Sequence, residues 1–505
     1  MLTLEQRPED ILSHIEPLSK SHAMRYRFAV FFVTPSFARW LLDDSVFLHK
    51  ALTNIYPELL GPNTRPRIHA LCAVVDRLPV PRPIEDKHHM MREAYERLRN
   101  PPVGEIGHEG IAYAALPFHD SIATSSAKDQ VKAAISFVSA KGEGGEEADL
   151  SDAIRLPLAN TVFQTGSPTT MTYSYWAVPK GSKKLTLKEK RDVSHHGIRM
   201  QTSPENSSSM LSIPLIPLSK PRLVEASMGN ILRRITGPGG ESITASQELE
   251  KNVPRYFSAR REPSQATTVW ALIMDREVLA AAQGWTDTLL EAAQFSEGAQ
   301  TEDTLWEDLW KTDPPVWNPL VTHALASGAR LHRVLSGGGG WGKKAGLLSL
   351  DPMPVPSSDS PEFGQLDGPG DLSDALQQVA REGDSIQFFI SPSATPDVKL
   401  PKISQREEVW GLELGTIPST TDALPAAAKQ SKTNKITVYK NMFGALSEGG
   451  MVMSRSFKVD GESSYGLIGA STIDVPFTRF SAVDWVAEPK PGDDAEVGGL
   501  EDDDM

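Results

Sequence analysis

The segment SGGGGWGKK, from Ser336 to Lys344, holds the residues best suited to phosphate chemistry. Gly337, Gly342 and Lys343 match the opening of the spacing GxxxxGK followed by Ser or Thr, in which amides cradle phosphate and the hydroxyl meets magnesium. Lys344 stands where that hydroxyl belongs. The residues after it, AGLLSLDP, are too few to build the helix whose N-terminal amides would face the anion. Two readings stay open. Consecutive glycines can turn amides towards an anion, with Trp341 stacking on a ring and Lys343 and Lys344 neutralising charge. Alternatively they form a mobile connection after the strand expected over Ala329–Leu335. On the first reading Gly337, Gly338, Gly339, Gly340, Trp341, Lys343 and Lys344 bind an anion or ligand, and the chain could be a nucleotide- or phosphate-using enzyme.

A second constellation lies in TMTYSYWAVP and the KGSKKLTLKEKR that follows it. Tyr173, Tyr175 and Trp176 precede Lys183, Lys184, Lys188, Lys190 and Arg191. Aromatic faces beside cations suit single-stranded RNA, through stacking and phosphate neutralisation. An acidic protein partner would use the same residues.

Other chemistry is sparse. His88-His89 and His195-His196 are adjacent pairs, whose rings point to different faces, and surface or loop positions are expected for them. His108-Glu109 and His119 bracket GIAYAALPF and could meet at one sheet end as a general acid/base group. There is no HExxH or GxSxG, and the GxGxxG spacing at Gly337–Gly342 has no helix expected after it, so no metal, catalytic residue or cofactor is assigned. The single cysteine, Cys72, lies in the apolar run HALCAVVD and reads as a small buried hydrophobe.

Acids outnumber bases, 65 to 51, for a formal charge of −14, which argues against bulk DNA or anionic-membrane binding. The region Lys180–Arg234 runs the other way, with 11 Lys/Arg against 4 Asp/Glu. The end, GDDAEVGGLEDDDM, reads as a solvated acidic tail expected to be disordered. No apolar run approaches the ~20 residues of a membrane helix. The acidic N-terminus resembles neither a transit nor a secretory signal. These features predict an intracellular, reducing setting: the cytoplasm, or the mitochondrial matrix if a targeting segment precedes Met1.

The elements that must position these residues follow α/β grammar. Apolar strands are expected at Phe28–Thr34, Ile68–Val75, Gly110–Leu116, Thr268–Met274, SIQFFI, Ile436–Tyr439, Met451–Val459 and Tyr465–Ile473. Helices are expected from Pro35 to Ile55, from a capping box at Thr244–Gln247 to just before Pro254, over Thr301–Lys311, from Asn318 to Gly328, and over Ser373–Glu382. The fold class is therefore α/β, with mixed sheets flanked by helices and long Pro/Gly/Ser-rich insertions. The chain length predicts two domains: residues 1–200; a basic Pro-rich linker at 201–240; residues 241–486 with insertions at 351–372 and 417–434; and the tail at 487–505. Strands ending in Asp76-Arg77 and Asp275-Arg276 echo each other, as related halves would.

Residues 28–117 resemble the N-terminal part of FIST domains, which are sensory ligand-binding modules. The resemblance rests on FAVFFVTPSF, the helix ARWLLDDSVFLHKALTNIYPELL, the strand RIHALCAVVD and EGIAYAALP. Where that family's second strand runs into small residues and glycines, this chain has Ala73 to Arg77, so no ligand residues carry over. The resemblance implies a ligand-binding module.

These observations predict a non-catalytic ligand-binding or scaffold protein working through an inter-domain groove, with the Ser336–Lys344 loop and the basic rim at 180–191 as contacts. Its partner would be a protein or small ligand, with RNA as the alternative, and neither membrane nor DNA.

Overall fold

The computed structural model describes residues 7–61, 66–80, 103–122, 133–141, 150–200, 207–292, 301–312, 320–337, 346–352, 379–392, 409–419, 436–458 and 465–485. Their strands form mixed parallel and antiparallel sheets packed with helices, the α/β class expected. No helix among them is long and apolar enough to cross a membrane.

The first sheet holds five strands. Phe28–Val33 pairs parallel with Arg67–Val74 and antiparallel with Ile111–Leu116. Met171–Ala177 and Thr186–Asp192 extend it antiparallel beyond Arg67–Val74. FAVFFV is buried at every position, as a strand covered on both faces must be. Phe31 and Val33 pack with helix Leu48–Ile55 on one face, and Val30 and Phe32 join the large central core on the other. The single helix expected over Pro35–Ile55 is instead broken. Pro35–Leu41 is a 3₁₀ turn, and the Asp43 carboxylate then accepts from the amide (2.9 Å) and hydroxyl (2.8 Å) of Ser45. That side-chain turn competes with helix continuation, which resumes only at Leu48.

A six-stranded sheet contains Ser121–Ile122, His195–Met200, Ala134–Lys141, Leu150–Pro157, Met451–Lys458 and Tyr465–Ile473. A four-stranded sheet contains Ser207–Ser212, Arg479–Trp485, Val409–Thr416 and Met442–Ser447. Both join distant parts of the chain: Leu150–Pro157 is hydrogen-bonded to Met451–Lys458, and Ser207–Ser212 to Arg479–Trp485. Phe32 of the first sheet lies 4.5 Å, ring to ring, from Phe443 of the four-stranded sheet and 6.1 Å from Phe137 of the six-stranded one. The three sheets thus meet on one ring.

The rest of the chain builds a closed antiparallel barrel. Its strands are Arg222–Met228, Ile231–Thr236, Leu348–Leu350, Arg330–Gly337, Val269–Met274 and Ser385–Ile390, and the last two close the ring. The stretch 201–240, expected as a linker, carries the first two barrel strands and Ser207–Ser212. Along Val269–Met274 the side chains alternate: Val269, Ala271 and Ile273 join the barrel core, while Trp270, Leu272 and Met274 join the central core. Trp270 Nε1 donates to Asp474 Oδ1 at 2.6 Å, and the Leu331 amide donates to Ser471 Oγ at 2.9 Å, tying barrel to six-stranded sheet.

Helices Ala245–Arg260 and Glu302–Trp310 pack Tyr256, Phe257, Trp306 and Trp310 into the barrel core. The second presents Trp306, Leu309 and Trp310 on its buried face, as its periodicity requires. The first runs through Pro254 rather than ending before it, and the Thr244 side chain makes no capping bond. An interior proline costs ~3 kcal/mol. Here that is offset by burial of Tyr256 and Phe257, by Asn252 Nδ2 donating to the Leu218 carbonyl, and by Arg255 bridging Asp303 and Glu307 at 2.7 Å each. Residues 436–439 form no strand. The helix expected over Ser373–Glu382 lies largely outside the described residues, as do most of the insertion 351–372 and the tail.

Candidate binding face

The glycine segment is the connection between two neighbouring barrel strands. Arg330–Gly337 and Leu348–Leu350 are antiparallel, with Gly337 opposite Leu348. Gly337 lies close against Leu348, so a Cβ there would stand 2.0 Å from the tip of the Leu348 side chain and would require it to move. Gly346, at φ +83°, turns the returning chain into a strand, where a phosphate loop would begin a helix. Gly338, Gly339, Gly340, Trp341, Lys343 and Lys344 lie outside the described residues.

The basic and aromatic residues divide between two faces of the first sheet. Tyr173 and Tyr175 project from the face opposite Trp176, as strand alternation demands. Trp176 is buried beside His49 and its Nε1 donates to Ser174 Oγ at 2.9 Å, so it offers no ring to a ligand. Lys190 goes the same way, bound to the Leu41 carbonyl at 3.1 Å and Asp44 at 2.8 Å. Lys183 and Lys184 stand exposed at the turn of the hairpin, and Lys188 stands exposed at its bulge.

What remains together is a half-buried aromatic cluster. His69 lies opposite Tyr175, and Tyr173 lies opposite Arg191. The His69 ring is 4.2 Å from Phe118 and 5.1 Å from Tyr175, centroid to centroid. The Tyr173 hydroxyl bonds His69 Nδ1 at 2.7 Å, and the Arg191 guanidinium sits 5.3 Å above the Tyr173 ring. Phe28 and His196 form the buried floor, with His196 stacked 5.7 Å from Tyr173. Phe118 is 47% exposed, which opens the cluster to solvent. Arg191 lies over Tyr173, Arg27 and Arg67 lie near His69, and the hairpin adds Lys183, Lys184 and Lys188; all six are exposed. Among the described residues none of these six is paired with a carboxylate, although Glu189 shares the hairpin.

The two histidines of the cluster are held neutral at neutral pH. Burial, with Arg27 and Arg67 adding, pushes His69 down to about 4. Burial does the same to His196, with His195 and Arg191 contributing. His195 and His196 were expected at the surface. They are buried instead, on opposite faces of their strand, each with Nε2 on a serine hydroxyl: Ser136 at 2.8 Å and Ser121 at 3.0 Å. His88-His89 lie outside the described residues.

A pH dependence follows. Since the folded value of His196 lies below the unfolded one (~6.5), the unfolded chain takes up the proton first as pH falls. Stability present above ~6.5 is therefore lost between there and about 4. Replacing His196 with Phe keeps a buried ring and removes this titration. Chemical denaturation from pH 7 to 4 is expected to show a shallower loss in the variant, and parallel curves would refute the assignment.

His108-Glu109 and His119 do not meet. Ile111 is opposite Val33 and Leu116 opposite Phe28, so the strand holds them at its two ends. Glu109 binds Arg77 at 2.5 Å and accepts from the Thr34 hydroxyl at 2.9 Å. The paired sequences at Asp76-Arg77 and Asp275-Arg276 do different work. Asp275 accepts from the amides of Glu277 and Val278 at a helix start, whereas Asp76, raised to about 6 by burial, accepts from the Glu448 amide at 2.8 Å. Cys72 is buried and its thiol is pushed up to about 12 by burial, so it is neither a nucleophile nor a ligand at neutral pH.

Sequence reasoning missed His69, Phe118, Arg27 and Arg67, which reach this face from three other segments. The alternation in RIHALCAV was the available signal, since it puts His69 and Leu71 on one face. The chain matches no family model, no curated protein and no solved structure.

Proposed function

We propose that the protein is a non-catalytic binding protein whose contact surface is the aromatic and basic face around His69, Phe118, Tyr173 and Tyr175. Its ligand is planar and anionic, and single-stranded RNA is the member of that class that uses every feature. The observation that carries this reading is the juxtaposition of half-exposed rings with Arg191, Arg27 and Arg67, beside the hairpin lysines, none of them paired with a carboxylate among the described residues. Bases stack on rings irrespective of sequence, and cations track the phosphates. The neutral state of His69 leaves its ring available for stacking without adding charge. Gly337 and the hairpin 183–191 stand on different sheets, and the reading needs only the second.

The test is fluorescence anisotropy with a labelled uridine oligomer. Tyr175→Ala and Phe118→Ala should each weaken binding by about 1–3 kcal/mol, the worth of one stacked base. Charge reversal at Lys183, Lys184 and Lys188 should nearly abolish binding and flatten its salt dependence. Affinity unchanged in all of these variants would reject the surface.

A further inference from the structure

Resting on that reading, we propose that the chain's own acidic end, residues 486–505, occupies the basic aromatic face and competes there with the polyanionic ligand. Charge, reach and position support this occupant.

The tail carries Glu488, Asp493, Asp494, Glu496, Glu501 and Asp502–Asp504 against the single cation Lys490. The face carries Arg27, Arg67, Lys183, Lys184, Lys188 and Arg191 without carboxylate partners among the described residues. In a chain with a formal charge of −14, a group of cations without carboxylate partners among the described residues suits an anionic occupant.

Reach follows from the sheet pairing. The tail leaves strand Arg479–Trp485, where Asp484 pairs with Ser207. Ser207 is eleven residues from His196, whose ring stacks on Tyr173. Eleven residues span at most about 40 Å, whereas the twenty residues from 486 onward span up to about 70 Å. Fully extended, the acids at 501–504 therefore reach the His196 floor of the face from the point of departure. A tethered segment of this length acts at an effective concentration on the order of millimolar. Even a weak contact of ~0.1 mM intrinsic affinity would then weaken ligand binding by about tenfold.

The experiment compares the full chain with a full-length variant in which those eight acids are replaced by their amides (Asp→Asn, Glu→Gln). Each is titrated with the labelled uridine oligomer at low and at high salt. In parallel, a carbodiimide, which couples carboxylates to lysines in contact, is applied to the native chain and the cross-links are mapped. The expected result is about tenfold tighter binding by the variant at low salt, a gain that shrinks at high salt, and cross-links from the tail to Lys183, Lys184 or Lys188. Equal affinity of the two proteins overturns the tail proposal and leaves the RNA surface standing. Cross-links to the hairpin with no oligomer binding by either protein reject RNA and keep the tail contact. Absence of both overturns both.

Discussion

Replacing Arg479 with Met should destabilise the protein by about 3–5 kcal/mol, the cost of leaving a buried charge without its partner. Arg479 and Glu413 are 3% and 2% exposed and approach to 3.2 Å. The guanidinium also donates to the carbonyls of Thr416 (2.7 Å), Thr478 (3.1 Å) and Glu105 (2.8 Å). Removing it takes the cation from the Glu413 carboxylate and one donor from each of three carbonyls, of which Thr416 and Thr478 keep the amides of Phe477 and Thr416. The double variant Arg479→Met, Glu413→Leu removes both charges and should recover part of the loss. Denaturant midpoints measure both. A single variant within about 1 kcal/mol of the native chain would show that the buried pair contributes little.

Phe32→Ala should cost a similar ~3–5 kcal/mol, for an apolar reason. The ring lies between Phe443 at 4.5 Å and Phe137 at 6.1 Å, so its loss leaves a void bordered by three sheets. A void shared by three rigid layers cannot collapse by moving one side chain, which places the cost at the upper end. Phe32→Leu fills most of the volume and should lose much less. If both variants lose the same small amount, the three sheets do not share one core.

Much of the strand content was legible because buried strands advertise themselves. FAVFFV, RIHALCAV, VWALIM and SIQFFI are apolar runs bounded by turn residues, and each strand lies within a residue or two of its expected place. Strands with mixed surfaces were not legible. Thr186–Asp192 reads TLKEKRD and Arg222–Met228 reads RLVEASM, and pairing makes them strands, the first with the preceding arm of its hairpin and the second with Ser385–Ile390 far along the chain. The barrel was illegible for the same reason, since its closure between Val269–Met274 and Ser385–Ile390 spans more than a hundred residues. The binding face was half legible. The hairpin supplied Tyr173, Tyr175 and Arg191 in one segment, but Trp176 and Lys190 could be sorted to the other face only once the core side was known. Local propensity likewise missed the Asp43 turn and the continuation through Pro254, where side-chain contacts decided the outcome.

The pairing of Leu150–Pro157 with Met451–Lys458 sets a clock on biogenesis. At translation rates of about 5–20 residues per second, roughly 15–60 s separate the synthesis of the two partners. Throughout that interval Leu150–Pro157 leaves the ribosome with an unsatisfied edge, open to the wrong strand. Ser207–Ser212 waits almost as long for Arg479–Trp485. Nascent chains of this protein should therefore depend on a holding chaperone until nearly the last codons are read. Premature stop codons after about residue 400 should yield aggregates rather than a shortened, soluble product.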